Sequence, residues 1–65
     1  MGTVTIKIKD SVTSEPSNSV DCFRKEFHIA GNSYCIEANT IKAFPADVGD
    51  IMLALDSDLE LVDRT

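Results

Sequence analysis

The sequence predicts a small α+β domain in which an N-terminal strand, a central β-hairpin and a C-terminal strand form an antiparallel sheet beside one short helix. Three observations lead there. Residues 3–9, TVTIKIK, alternate strictly between apolar and polar. A Gly-Asn pair at positions 31 and 32 lies between two further alternating runs. Apolar residues then recur at helical spacing from Val48 to Leu55. An all-β small roll or barrel is the alternative, because the last third also reads as a second hairpin.

In the first strand Val4, Ile6 and Ile8 share one face while Thr3, Thr5, Lys7 and Lys9 share the other, the pattern of a half-buried strand rich in β-branched residues. Residues 10–20, DSVTSEPSNSV, crowd Ser, Thr, Asp, Asn and Pro together with little to bury. They read as a mobile loop within a single domain spanning residues 1–65.

Between DCFRKEFHIA and SYCIEANTIK, glycine at the first of two central positions suits a type II′ turn. That turn sets Ile29 opposite Tyr34, Phe27 opposite Ile36, Lys25 opposite Ala38 and Phe23 opposite Thr40, giving one mainly apolar face. The other face then pairs His28 with Cys35, Glu26 with Glu37, Arg24 with Asn39 and Cys22 with Ile41. A one-residue slip would exchange the faces of one strand, so the hydrophobic pattern constrains the register. In this register Cys22 and Cys35 stand about 20 Å apart, too far for a disulfide.

In the last third, Val48, Ile51, Met52 and Leu55 follow i, i+3, i+4, i+7 spacing. Asp47 stands at the N-cap position and Asp50 three residues on, where a capping box places its acid. Gly49 in the first turn and the anions Asp56 and Asp58 beyond the C-terminus argue against a helix. The balance favours a helix over 47–55 and a strand over 59–63, with the hairpin IMLAL/LELVD as the rival.

At 65 residues the chain buries only about 60% of its unfolded surface, so its core is small and a partner or a second copy of the chain could complete it. No apolar run reaches the roughly 18 residues of a membrane span, and the N-terminus lacks the apolar block of a signal peptide. Two cysteines without metal-site spacing fit a reduced, cytoplasmic protein.

The net charge of −5 is unevenly distributed. Through residue 42 five bases balance five acids, whereas residues 43–65 hold six acids against Arg64 alone. One reading is a charged surface that keeps a small domain soluble. The other is an acidic, partly apolar surface for a basic protein partner, with charge steering the encounter and Ile51, Met52, Leu55 or Leu59 holding it. Its candidate residues are Asp47, Asp50, Met52, Asp56, Asp58 and Glu60. Direct nucleic-acid binding is disfavoured because phosphates would be repelled. An acidic module could instead occupy the nucleic-acid-binding surface of another protein, as small inhibitors do.

Two chemical readings attach to the hairpin. His28 opposite Cys35 could form a thiolate-imidazolium pair, but a Cys-His enzyme also needs an orienting group and a cleft. His28, Cys35, Glu26 and Glu37 lie in adjacent cross-strand pairs and are legitimate zinc ligands. Alternation, however, places four polar residues together on the outer face of almost any hairpin. Asp56, Ser57, Asp58, Leu59 and Glu60 carry acids at alternate positions but lack the glycine and the later glutamate of a calcium loop. The functional expectation is therefore a non-catalytic, cofactor-free module that binds another protein as an accessory subunit or inhibitor. A metal-binding module on the hairpin is the alternative.

Overall fold

The computed structural model describes residues 2–13 and 23–65. The element order is β1 (Thr3–Ile8), α1 (Asp10–Thr13), β2 (Arg24–Ile29), β3 (Asn32–Glu37), β4 (Ile41–Pro45), α2 (Ala46–Leu55) and β5 (Leu59–Arg64). The α+β class expected from the sequence is what forms, with no closed barrel among the described residues. The strands divide into two ladders. One is three-stranded in the order β4-β1-β5, and the other is the hairpin β2-β3.

Strand β1 runs antiparallel to both of its neighbours. Its expected inward face is the observed one, since Val4, Ile6 and Ile8 are all buried. They join Phe27, Ile29 and Ile36 from the hairpin, Phe44 from β4, Val48 and Met52 from α2, and Leu59 from β5 in one hydrophobic cluster. Both ladders thus share a single core, and the hairpin packs onto it through side chains rather than through a strand ladder with β1.

The hairpin differs from expectation in register. Its turn is Ala30-Gly31, with φ of 53° and 81°, the pair of positive angles that a type I′ turn requires. Arg24 pairs with Glu37, Lys25 with Ile36, Glu26 with Cys35, Phe27 with Tyr34, His28 with Ser33 and Ile29 with Asn32. Moving the turn back by one position shifts each pairing by two residues, which leaves the faces unchanged. The gain is physical. The observed register replaces the like-charge pair Glu26-Glu37 with Arg24 opposite Glu37, and sets Phe27 opposite Tyr34 as an aromatic pair.

The second hairpin strand is also shorter than expected. It stops at Glu37, where Thr40 donates to the Glu37 carbonyl through its backbone N–H at 3.2 Å and its hydroxyl at 2.6 Å. Asn39 takes a φ of 67°. The chain reverses there, and residues 41–45 become β4, which pairs with β1 from Lys7-Ile41 to Thr3-Pro45. The run read as a loop begins with the four-residue helical turn α1. The rest of that run, together with Asp21 and Cys22, lies outside the described residues.

Helix α2 starts at Ala46, one residue earlier than expected, and is followed by β5 rather than preceding a second hairpin. Asp47 is not its N-cap. Pro45 holds that position without a side-chain cap, and Asp47 Oδ1 accepts from the Val48 N–H at 2.9 Å within the first turn. Gly49, which argued against a helix, faces β1 and is buried. A Cβ there would overlap the Val4 side chain, so glycine lets the helix lie close on the sheet.

Candidate functional site

The last third of the chain, from α2 through the turn to β5, presents the candidate surface. Helix α2 turns Val48, Gly49 and Met52 inward, which leaves Ile51 and Leu55 on its outer side, 44% and 68% exposed. On β5, Leu59 is buried while Leu61 and Val62 are 43% and 45% exposed. The register explains the pair. Thr5 faces Asp63 and Ile6 faces Leu61, so Val62 is the extra residue of a β-bulge, which bends the strand and breaks its alternation.

Met52 must be removed from the expected binding residues. It is fully buried against the core, because the helical spacing that made it look like part of an apolar stripe is the spacing of the inward face. Leu59 is likewise a core residue at 4% exposure. Leu61 and Val62 are outside the apolar set read from the sequence: Leu61 stands opposite the buried Ile6 yet is left 43% exposed on the outer strand, and Val62 is the bulge residue, which arises from the match to β1 and leaves no mark in the LELVD alternation itself.

The acids occupy the surface, but most are engaged within the molecule. Arg64 Nη2 donates to Asp50 Oδ1 at 2.8 Å. Lys25 Nζ lies 3.1 Å from carboxylate oxygens of both Asp56 and Asp58. Lys7 Nζ is 3.5 Å from Glu60 and 3.3 Å from Asp10. Asp47 accepts from the Val48 N–H. The unequal charge of the two halves of the sequence is therefore partly evened out in space, with Lys7 and Lys25 reaching into the acidic third. Ion pairs this exposed are screened by solvent and add little to stability, and they leave the net charge of −5 unchanged.

Lys25 is the most enclosed of these bases. Burial opposes its charged form, but hydrogen bonds and charge from Asp58 and Asp56 outweigh that and hold its pKa above 10.5. Asp10, with Glu60 assisting against slight desolvation, raises Lys7 in the same direction.

On the hairpin the expected constellation does not assemble. His28 stands opposite Ser33, whose Oγ is 3.2 Å from His28 Nδ1, while Cys35 stands opposite Glu26 and Glu37 opposite Arg24. The His28-Cys35 pairing behind both the thiol and the zinc reading is not formed. Among the described residues no three His, Cys, Asp or Glu side chains converge as a metal-binding group. Cys35 is a free, half-buried thiol, and no helix among the described residues is long and apolar enough to cross a membrane. No protein-family model matches the chain, and no curated protein or solved structure matches it.

Proposed function

We propose that this chain is a non-catalytic module that binds another protein, as an accessory subunit or inhibitor, through the surface formed by α2 and β5. One observation carries the reading. Among the described residues, four of the five large apolar side chains left exposed, namely Ile51, Leu55, Leu61 and Val62, fall in the same third of the chain as six of its eleven acids. Apolar groups of this size on a small domain, rimmed by charge, are typical of contact surfaces. The acids give the partner its character. A basic protein would be drawn in by the negative field and could exchange its own cations for Lys7, Lys25 or Arg64 on the rim.

A second copy of the chain fits less well, because two bodies of charge −5 repel. A phosphate backbone is repelled for the same reason. The free thiol of Cys35 accords with a reducing, cytoplasmic setting.

The test is capture from the native host at low and high salt with the full chain as bait. The expected result is a basic protein retained at low salt and released as salt rises, with retention lost in Leu55→Lys and kept in Glu26→Gln. Salt-independent capture that survives Leu55→Lys would refute the reading. Substitution of Asp56 and Asp58 is a poorer test, because it also removes the contacts of Lys25.

A further inference from the structure

The two outer strands of the three-stranded ladder are not equivalent. Strand β4 ends in Pro45 and carries Lys42, whose ammonium folds back onto the Cys35 carbonyl at 3.1 Å. Proline and lysine are standard means of blocking an edge against further pairing. Strand β5 contains neither; its edge devices are the acids Glu60 and Asp63, Arg64 and the bulge at Val62, which exclude long or acidic strands but leave room for a short basic one. Among the described residues it pairs with β1 on one side and with no strand on the other. Its exposed side chains at Leu61 and Val62 are apolar, and Glu60 and Asp63 flank them.

We propose that the outer edge of β5 is a strand-addition site for a basic, extended segment of a partner protein. This rests on the protein-binding reading and names its mode. In strand addition, main-chain hydrogen bonds supply affinity, and side chains at alternate positions supply specificity. Here the alternate positions favour Lys or Arg beside Glu60 and Asp63, and an aliphatic residue beside Leu61 or Val62. The bulge at Val62 interrupts the edge, so the added stretch is short and the contact reversible. Charge also selects against self-pairing. An antiparallel β5-β5 contact centred between Leu61 and Val62 sets Glu60 opposite Asp63 twice, and like charges directly opposed destabilise a ladder.

The experiment follows amide exchange and chemical shifts in the isotope-labelled full chain. One titration uses a short peptide of alternating lysine and valine, and another a helix-forming lysine-leucine peptide of equal charge. The alternating peptide should bind saturably at low salt and slow exchange of β5 amides by about tenfold or more while leaving α2 amides unchanged. Its affinity should fall by about tenfold in Val62→Lys, through added charge repulsion and lost apolar contact, and hold in Glu26→Gln on the distant hairpin.

Three results would overturn the assignment. In one, the β5 amides are already protected throughout in the free protein, so that the edge is filled. In another, neither peptide binds. In the third, the helical peptide binds at Ile51 and Leu55 with β5 unchanged, which sinks strand addition but leaves the protein-binding reading intact. That broader reading stands or falls separately, on the salt-dependent capture.

Discussion

Lys25 shows at the scale of one residue how a feature that argues against a structure in sequence is answered in space. Asp56 and Asp58 follow the C-terminus of α2, where the macrodipole disfavours anions, and from sequence alone they weaken the case for a helix. The hairpin brings the Lys25 ammonium between them. The consequence is a pH dependence. Because the folded pKa of Lys25 lies above its unfolded 10.5, its contribution is fully present below pH 10.5 and is lost as pH rises through the folded value. Urea unfolding from pH 8 to 12 should therefore show an alkaline loss of stability that is smaller in Lys25→Met. The variant should itself be less stable at pH 8, by about 1 kcal/mol or less, as for partly exposed pairs. An unchanged alkaline limb in Lys25→Met would show that the pairs do not persist in solution. Ala30 is the complementary case, a residue whose type gives no hint of its conformation. Its φ of 53° costs an L-residue about 1 kcal/mol, and asparagine tolerates it better. Ala30→Asn should raise the urea midpoint, which a type II′ turn at Gly31-Asn32 would not predict.

At the scale of elements, alternation and helical spacing made β1, the hairpin faces, α2 and β5 legible, because each exposes a periodic apolar face to one core. Strand β4 was not. Its residues, IKAFP, bury only Phe44, so they carry little period of their own, and the break before them depends on Asn39 accepting a left-handed conformation. Asparagine and the following threonine were the available turn signal. The hairpin register was missed for a related reason. Shifting each pairing by two residues preserves the faces, so hydrophobic pattern cannot choose between registers, and the choice falls to turn geometry and cross-strand pairs. The candidate surface was legible in its acids and in Ile51 and Leu55, but not in the burial of Met52 or the bulge at Val62. Helix α2 offers a test in which propensity and packing disagree. In an exposed helix interior Gly→Ala stabilises by roughly 1 kcal/mol. At Gly49 the added methyl would overlap Val4, and overpacking of that kind costs about 1–3 kcal/mol. Gly49→Ala should lower the urea midpoint; a higher midpoint would mean that the helix stands further from β1.

At the scale of the molecule, the question is whether two ladders that share no strand pairing behave as one folding unit. Among the described residues ten side chains from both ladders and α2 form the buried cluster, and a core in a chain of this size supplies roughly 3–5 kcal/mol. Divided into halves, neither part would retain enough to stay folded, since a lone two-stranded hairpin is marginal in water. Loss of packing in the hairpin should therefore be felt fully in the three-stranded ladder. Ile36 suits the test, being 1% exposed on β3 and part of the cluster with β1. Ile36→Ala would cost about 2–5 kcal/mol, which is most of the margin and would leave too little folded protein to measure. Ile36→Val removes one methylene at about 0.5–1.5 kcal/mol and keeps the fold. Amide exchange in Ile36→Val should then show the protection of the slowest β1 amides falling by the same free energy as that of the β2 amides, with a single urea transition. Loss confined to the hairpin, with β1 unchanged, would mean that it opens on its own. The ion pairs of Lys25 would then be the hinge contacts of a separable flap rather than part of one cooperative core.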